Sequence, residues 1–384
     1  MIPYGRQDIS EDDIAAVVAI LRSDWLTQGP AIERFERKVA DYCGARFAVA
    51  VANATAALHI ACLALGIGEG DRVWTSPNTF VASANCARYC GAQVSFVDID
   101  PASYNLSLSE LQARLETAAK NGTLPRLVIP VHFAGQSCDM SAIADLAQCY
   151  GFKVLEDASH AIGGSYLGKP IGNCDYADAA VFSFHPVKIV TSGEGGMIVT
   201  NREDLYQHLL RLRSHGITRD PLLMEGAADG DWYYQQLELG FNYRMTDLQA
   251  ALGASQMERI DEFIARRREL AARYQAALAH TGLVLPAEIH PGQSAWHLYA
   301  VQTPTPQMRR PLFDRLRRTG IGVNVHYIPV YLQPYYRRLG HRPGECPQAE
   351  TYYQRAISLP MFPRLSDQEF ESVVDIVTVA MREI

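Results

Sequence analysis

The residues with the clearest chemical potential lie in the stretch Val181–Lys188, which is followed by the turn Gly193–Gly196. An apolar run ends at Ser183, whose hydroxyl can hydrogen-bond a phosphate, and a lysine stands five residues further on. The glycines let the chain fold back closely into a strand predicted over Met197–Thr200. An amine held beside a phosphate-binding group is suited to forming a Schiff base with a bound carbonyl compound. Lys188 is therefore the candidate nucleophile.

Two other strand ends carry polar groups that fit the same chemistry. The triplet Asn53-Ala54-Thr55 opens a helix, and free N–H groups at a helix start can bind a phosphate, although an ordinary helix cap has the same sequence. Asp157 ends the apolar strand before Ser159 and His160. It is either a helix cap or the carboxylate that keeps a pyridine nitrogen protonated. Together with Ser183 and Lys188, these residues predict a site for pyridoxal phosphate (PLP).

The elements that must position these residues alternate between strand and helix from about residue 45 to 200. Strands are predicted over Phe47–Ala52, Val73–Ser76, Val94–Val97, Arg126–His132 and Lys153–Glu156, with helices over Thr55–Leu65, Phe80–Cys90, Leu108–Lys120 and Met140–Tyr150. Repeated strand–helix–strand units with apolar strands predict an α/β fold, with a mostly parallel sheet flanked by helices. Ligands bind outside the carboxyl ends of such strands, where the polar groups above are found.

The pattern changes after about residue 245, which predicts a second, smaller α/β unit. A long helical stretch is predicted over Met245–Ala279, with strands near His297–Val301 and Val323–Tyr327 and helices over Pro311–Thr319 and Asp367–Arg382. We therefore expect a large PLP-binding domain with an N-terminal arm over residues 1–245, and a small C-terminal domain over residues 246–384, joined by the long helix. Residues 219–231, rich in Gly, Pro and Asp, are predicted to form a mobile loop.

Composition excludes several other classes of protein. The 384 residues carry a net charge of −7, which disfavours a nucleic-acid backbone or an anionic membrane as partner. The eight cysteines form no C-x-x-C pair and no metal-binding spacing, so no metal is expected and the thiols are interpreted as reduced in a cytoplasmic protein. The polar, acidic N-terminus does not resemble a signal peptide.

The motifs also resemble, over nearly the whole chain, the nucleotide-sugar aminotransferases of the aspartate-aminotransferase-like fold. The matching segments are Trp25–Pro30, Asn53–Leu58, Glu156–Ala161, Phe182–Lys188, Gly193–Gly196 and Gly240–Met245. The resemblance implies PLP-dependent transferase fold type I and an aminotransferase activity. It also implies that the active unit is a homodimer with shared active sites.

The resemblance assigns roles to individual residues. Lys188 carries the cofactor, Asp157 pairs with its pyridine nitrogen, and Phe80 stacks on the ring, although a buried core aromatic is the alternative for Phe80. His160 stands where many relatives have Gln and bonds the ring oxygen. The phosphate is held by Ala54, Thr55 and Ser183, and by Asn242 of the neighbouring subunit.

The stretches around Tyr4, Trp25 and His326 resemble the transaminases of pseudaminic acid biosynthesis. That likeness implies transfer of the amino group of L-glutamate to C4 of UDP-2-acetamido-2,6-dideoxy-β-L-arabino-hex-4-ulose. It assigns substrate contacts to Tyr4, Trp25, Leu26, Thr27, Gln28, Ala54, Ser183, Asn242, His326, Tyr327, Ile328 and Pro329. Packing within the small domain is the alternative role for Tyr327.

Four alternative functions can be compared with this interpretation. The closest is a transaminase for another 4-keto sugar, such as a precursor of 4-amino-arabinose, a GDP-linked sugar or a D-xylo UDP-sugar. Related dehydratases lack the lysine, so Lys188 argues against them. A binding or regulatory protein without turnover would not need to keep Lys188, Asp157 and Ser183 together. A nicotinamide-binding protein is expected to have G-x-G-x-x-G after the first strand, but this chain has Asn-Ala-Thr there, which argues against that function.

Overall fold

The structure is a computed structural model that describes residues 1–289 and 291–384. Within those residues the helices are α1 (Glu11–Leu21), α2 (Pro30–Cys43), α3 (Ala54–Ala64), α4 (Ala82–Tyr89), α5 (Leu108–Asn121), α6 (Met140–Tyr150), α7 (Glu203–Arg213), α8 (Asp247–Gln256), α9 (Ile260–Leu278), α10 (Pro306–Arg318), α11 (Pro334–Arg338), α12 (Pro347–Arg355) and α13 (Asp367–Glu383). The strands are β1 (Phe47–Val51), β2 (Arg72–Thr75), β3 (Gln93–Phe96), β4 (Leu127–Ile129), β5 (Lys153–Asp157), β6 (Ser165–Tyr166), β7 (Lys169–Pro170), β8 (Ala179–Ser183), β9 (Gly196–Thr200), β10 (Ile217–Thr218), β11 (Gln235–Gln236), β12 (Gly292–Gln293), β13 (Tyr299–Gln302) and β14 (Ala356–Leu359).

A seven-stranded sheet in the order β1-β9-β8-β5-β4-β2-β3 forms the centre of the molecule. Strands β3, β2, β4, β5 and β8 are parallel, whereas β9 pairs antiparallel with both β8 and β1. The carboxyl ends of β1, β5 and β8 therefore lie at one edge of the sheet. This confirms the predicted α/β fold with a mostly parallel sheet flanked by helices.

Helices cover both faces of this sheet, because its strands are apolar on both sides. Val49 and Val51 of β1 belong to a buried cluster that includes α3 and α4. Ala48 and Ala50, which point the other way along the same strand, belong to a cluster that includes α2 and α8. Both clusters are fully apolar, so the sheet holds its edge residues on a rigid base.

A separate apolar core lies in the C-terminal part of the chain. It joins the two-stranded sheet β13-β14 to α10, α13 and the second half of α9, from Leu270 onward. Helix α8 and the first turns of α9, as far as Ile264, instead pack with the large sheet. The core thus changes within α9, and the predicted domain division at residue 246 stays a prediction.

The helical stretch predicted over Met245–Ala279 is present but is divided into two helices, α8 and α9. A short 3-10 turn, Met257–Arg259, separates α8 from α9. Gln256 donates to the Asp13 carboxylate at 2.6 Å, and Arg259 donates to the same carboxylate at 2.7 Å. These contacts with the N-terminal part of the chain hold the joint in a geometry that a continuous helix would not give.

The predicted strand over Val323–Tyr327 is wrong. Asn324 forms a single bridge with Ser358, and no further ladder follows among the residues that the structure describes. The backbone N–H groups of Val325 and Tyr327 donate instead to the side chains of Asn324 and Asn78, at 2.8 and 3.2 Å. Side chains have replaced the strand partner that the apolar pattern suggested.

The N-terminal arm crosses to the C-terminal core. Ile2 pairs with Ile321 in a parallel bridge, and its N–H donates to Gly320 O at 2.9 Å. The N–H of Met361 donates to Tyr4 O at 3.0 Å. This places Tyr4 beside residues 324–326, far from it in sequence.

None of the described helices combines the length and the apolar composition that crossing a bilayer requires.

Candidate active site

A cleft of about 830 Å³ lies at the sheet edge where β1, β5 and β8 end. Strand ends supply one wall, and the segment around Asn324–Ile328 supplies the other. The predicted site residues that line it are Tyr4, Ala54, Thr55, Phe80, Asp157, His160, Ser183, Lys188, His326, Tyr327 and Ile328. The fold thus brings most of the sequence candidates into a single cavity.

Lys188 stands on the loop that connects β8 to β9. The loop is closed by its own backbone, since Phe184 N–H donates to Gly195 O at 2.9 Å and Ser192 N–H donates to Phe184 O at 3.0 Å. Burial lowers the pKa of the Lys188 amine to about 8, although the charge of Asp157 acts in the opposite direction. A substantial share of this amine is therefore neutral and nucleophilic near pH 8.

Asp157 is the last residue of β5 and is 5% exposed. Its Oδ1 accepts the backbone N–H of Ser159 at 3.1 Å, and its Oδ2 accepts the hydroxyl of Ser83 at 2.5 Å. The neighbouring Glu156 points to the other face of the strand, where it lies 2.8 Å from Nε2 of His132. Only Asp157 of this acidic pair therefore lines the cleft.

The start of α3 is shaped to hold an anion. Asn53 accepts the N–H of Ala56 at 2.9 Å, which leaves the N–H groups of Ala54 and Thr55 ahead of the first intrahelical bond. Strand β9 approaches this turn closely at Gly196, where a Cβ atom would lie 2.6 Å from the nitrogen of Ala54. Free N–H groups and the positive end of a helix dipole favour a phosphate.

An aromatic ring, Phe80, and a hydroxyl, Ser183, complete the part of the cleft that could receive a flat ring and its phosphate. Phe80 keeps 59% of its surface exposed although it lines the cavity, so its ring is available to a flat ligand. The alternative of a buried core aromatic does not apply to it. Ser183 is 8% exposed at the end of β8 and lines the same cavity.

Three histidines, His160, His297 and His326, form a polar patch with Tyr327 that extends over both walls of the cleft. The rings of His160 and His297 lie 4.4 Å apart between centroids, and the Tyr327 hydroxyl lies 3.2 Å from His160 Nε2. Burial lowers the pKa of His160 and that of His297 well below the ordinary value, and the charge of Lys188 adds to this effect. Both rings are therefore neutral at neutral pH.

His326 is held by two neighbours. Its Nδ1 lies 2.7 Å from the Ser358 hydroxyl, its Nε2 lies 3.3 Å from the Asn324 amide nitrogen, and its ring is 5.5 Å from that of Tyr4. Burial, followed by the charge of Lys188, lowers the pKa of His326 to about 3. This ring is also neutral and can serve as a hydrogen-bonding surface.

These groups fit PLP. The cleft combines a helix start for its phosphate, an aromatic face for its ring, a carboxylate for its ring nitrogen and a lysine amine for its aldehyde. Nδ1 of His160 is buried without a hydrogen-bond partner among residues 1–289 and 291–384, so one polar atom remains for a ligand. No group of three or more His, Cys, Asp or Glu side chains that could hold a metal ion occurs in the described chain.

Some predicted residues lie outside the cleft of the single chain. Trp25 and Leu26 are 53% and 50% exposed, and Thr27 and Gln28 beside them are exposed as well. Asn242 is exposed and pairs with Ser214 in a bridge. Pro329 is buried but is not among the residues that line the cavity.

Sequence reasoning missed three residues at the site. Ser83 bonds Asp157, His297 packs on His160, and Asn78 accepts the N–H of Tyr327 at 3.2 Å. The one signal available for Ser83 was its position four residues after Thr79, close to Phe80. His297 and Asn78 depend on contacts between distant parts of the chain and left no local pattern.

Comparison with known proteins gives matches over the whole chain. A family model described as the DegT/DnrJ/EryC1/StrS aminotransferase family matches residues 7–378. The spore coat polysaccharide biosynthesis protein SpsC of Bacillus subtilis is 40% identical over 382 residues, which are 98% of this chain and 96% of SpsC. The UDP-4-amino-4,6-dideoxy-N-acetyl-beta-L-altrosamine transaminase of Campylobacter jejuni is 36% identical over 381 residues, 98% of this chain and 96% of that protein.

Solved structures give the same result. Spr1654 of Streptococcus pneumoniae, described as a sugar aminotransferase, superimposes in its PMP form with a TM-score of 0.91 at 28% identity, covering 100% of both chains. Its PLP form gives a TM-score of 0.89 at 28% identity, covering 100% of this chain and 99% of the other. PseC of Helicobacter pylori, described as an aminotransferase in the biosynthesis of pseudoaminic acid, gives 0.90 at 26% identity, with 100% of both chains covered.

Proposed function

The chain belongs to the DegT/DnrJ/EryC1/StrS aminotransferase family, and from that premise we propose that it transfers the amino group of L-glutamate to C4 of UDP-2-acetamido-2,6-dideoxy-β-L-arabino-hex-4-ulose. The product is UDP-4-amino-4,6-dideoxy-N-acetyl-β-L-altrosamine. The coarser activity, PLP-dependent sugar amino transfer, follows from the family and from relatives solved in PLP and PMP forms. The observation that carries the proposal is the meeting of Lys188 and Asp157 in one cleft with the anion-binding start of α3.

The roles proposed for the residues follow from their positions. PLP, when bound, supplies an electron sink for the carbon that loses or gains the amino group. Lys188 holds the cofactor and then, as a free amine with a lowered pKa, moves the proton at the α-carbon of glutamate and at C4 of the sugar. Asp157 keeps the proton on the ring nitrogen, while Ala54, Thr55 and Ser183 hold the phosphate. Phe80 covers one face of the ring.

The outer part of the cleft is the proposed place for the UDP-sugar. Tyr4, Tyr327 and Ile328 offer aromatic and apolar surface suited to uracil and the 6-deoxy carbon, and His326 offers a neutral polar edge. Lys188 is the only lysine or arginine among the described residues that line the cleft. Any further positively charged donor for the diphosphate and the glutamate carboxylates therefore has to come from outside this lining.

A homodimer with shared active sites is the proposed source of those donors. Asn242 is exposed and sits outside the cleft, as the assigned role of reaching the neighbouring subunit's cofactor requires. Large apolar side chains nearby in sequence are also exposed, including Leu222 at 91%, Trp232 at 72% and Leu239 at 80%. Such a surface is typical of a protein interface.

A cytoplasmic location is proposed because all eight cysteines are free.

A second candidate is a transaminase for another nucleotide-linked 4-keto sugar. The observation that favours it is the 40% identity to SpsC, a protein named for spore coat polysaccharide biosynthesis, against 36% identity to the altrosamine transaminase. The cofactor end of the cleft is the same under both proposals, so the difference rests on the outer segments, Tyr4 and His326–Pro329.

The experiment that separates the two uses purified protein converted to its pyridoxamine form with L-glutamate. This protein is mixed with the L-arabino 4-keto UDP-sugar or with its D-xylo epimer, and return of the absorbance of the pyridoxal form is followed. Fast return with the L-arabino sugar alone supports the proposal. Return with the D-xylo sugar alone keeps the enzyme class and overturns the substrate. The Lys188→Ala variant is the control that shows no return with either sugar.

A further inference from the structure

The carboxylate of Asp157 is held by a side chain that lies on a different element. Ser83, at 0% exposure in α4, donates its hydroxyl hydrogen to Asp157 Oδ2 at 2.5 Å, while Ser159 N–H donates to Oδ1 at 3.1 Å. Each carboxylate oxygen thus has one donor. The two bonds come from different segments, α4 and the residues after β5, and restrict rotation of the carboxylate about its last torsion.

A second hydroxyl stands behind the first. Thr79 Oγ1 lies 2.6 Å from Ser83 Oγ, and Thr79 is 4% exposed. Because an ionised carboxylate can only accept, the hydrogen of Ser83 is committed to Asp157, and Thr79 must be the donor of the outer bond. The result is a directed chain of hydroxyls, Thr79 to Ser83 to Asp157, in which each bond polarises the next.

The same turn also carries Phe80. Ser83 Oγ lies 3.3 Å from the carbonyl oxygen of Phe80, so one short segment contacts the carboxylate and presents the aromatic ring. We propose that Ser83, supported by Thr79, is a positioning residue that aims the Asp157 carboxylate at the cofactor ring nitrogen and fixes its place relative to Phe80. This inference rests on the role proposed above for Asp157.

The test reads the ring nitrogen directly. The holoenzyme is prepared with PLP labelled with ¹⁵N in the ring, and the ¹⁵N chemical shift is followed against pH. Lys188 and Tyr327 feel the charge of Asp157, and His160, His297 and His326 line the same cleft, so all five are kept unchanged. In Ser83→Ala we expect the midpoint for loss of the ring proton to fall by about one pH unit, a tenfold weaker hold on the proton. We expect kcat to fall about tenfold to 100-fold, with KM for glutamate changing less than threefold.

Three further variants make the result specific. Ser83→Thr keeps the hydroxyl and restores most of the shift in midpoint. Thr79→Val removes only the outer bond, so it moves the midpoint in the same direction by a smaller amount, and it provides a second test if Ser83→Ala does not fold. Thr75→Val is the matched control, because Thr75 is equally buried and its hydroxyl donates to Ile129 O at 2.8 Å, away from the cleft.

The outcomes separate the possible failures. If Ser83→Ala lowers kcat but leaves the ¹⁵N midpoint at the wild-type pH, Ser83 has a structural role only and the inference is overturned. If Asp157→Asn leaves the ¹⁵N signal unchanged, the role of Asp157 fails and the inference fails with it. The sugar assignment is untouched by either result, because the ¹⁵N measurement that decides them uses no sugar.

Discussion

The hydroxyl of Tyr327 lies 3.2 Å from Nε2 of His160, and this bond joins the two walls of the cleft. Burial raises the pKa of Tyr327 far above its ordinary value, so the hydroxyl keeps its hydrogen and donates it to Nε2. His160 is neutral, and its hydrogen is therefore placed on Nδ1, which is buried without a partner among the described residues. Tyr327, in the C-terminal part of the chain, thus determines which tautomer of His160 is present in the cleft.

Removing the Tyr327 hydroxyl should allow His160 to adopt either tautomer. In Tyr327→Phe we expect His160 to populate both tautomers and the dissociation constant for PLP to rise about threefold to tenfold, the effect of one neutral hydrogen bond. The measurement is ¹⁵N NMR of the imidazole nitrogens together with a PLP titration. Tyr331→Phe is the matched control, since Tyr331 is also buried but its hydroxyl bonds Glu350 at 2.5 Å. An unchanged His160 tautomer in Tyr327→Phe would contradict the assignment.

The amine of Lys188 should titrate near pH 8 instead of near the ordinary lysine value, because burial disfavours its charged form. Lys188 is one of five lysines in the sequence, so ¹³C-dimethylation of cofactor-stripped protein gives a spectrum that can be resolved. We expect one resonance with a midpoint near pH 8 that is absent from Lys188→Ala. That variant should also fold with an unchanged circular dichroism spectrum and show no transamination. A midpoint above pH 10 for Lys188 would refute this prediction.

The buried histidines should make the protein sensitive to acid. Burial lowers the pKa of His326 to about 3 and that of His297 well below its ordinary value, so the folded state stays neutral while the unfolded state takes up protons below about pH 6.5. Their stabilising effect is therefore complete above pH 6.5 and is lost as the pH falls from 6.5 toward 3. Each histidine contributes a slope of up to about 1.4 kcal/mol per pH unit.

The test is urea unfolding of wild type and His297→Gln between pH 7.5 and 4.5. The difference in the free energy of unfolding between the two should shrink by about 1 kcal/mol for each pH unit below about 6. His280→Gln is the comparison, because His280 is exposed and lies outside the cluster. A difference between wild type and His297→Gln that stays constant with pH would count against the titration model.

Gly196 should be intolerant of any side chain. A Cβ there would lie 2.5 Å from the carbonyl carbon of Asn53 and 2.6 Å from the nitrogen of Ala54, both of them backbone atoms. We expect Gly196→Ala to lower stability by about 1–3 kcal/mol and to weaken PLP binding at least tenfold, because the start of α3 must move. Thermal unfolding and PLP titration measure the two effects. Gly68→Ala is the control, since a Cβ at Gly68 would meet nothing within 4 Å, and equal losses in both variants would reject the argument.

The elements that could be predicted from the sequence are those defined by residues close together in the chain. Strand β5 and helix α6 are found within one residue of their predicted bounds, because each combines an apolar pattern with clear end signals. The strand ends with polar groups led directly to Lys188 and Asp157, since parallel strands must share one edge. The type of sheet could be predicted for the same reason.

What could not be predicted depends on contacts between distant residues. Val323–Tyr327 has the apolar content of a strand, yet Tyr327 N–H bonds Asn78, a residue 249 positions away. The break between α8 and α9 depends on Asp13, which lies 243 positions before Gln256. Ser83 reaches Asp157 across 74 positions, and no periodicity encodes that distance.

The N-terminal arm sets the order in which the site can form during synthesis. Ile2 and Tyr4 leave the ribosome long before their partners, Gly320, Ile321 and Met361, which are made more than 300 residues later. The wall that contains Tyr4 and His326 therefore cannot close on a nascent chain. A chain stalled after β9 would already contain Lys188 and Asp157 but not the wall formed by Asn324–Ile328, so tight capture of the cofactor must wait until the chain as far as Met361 has emerged.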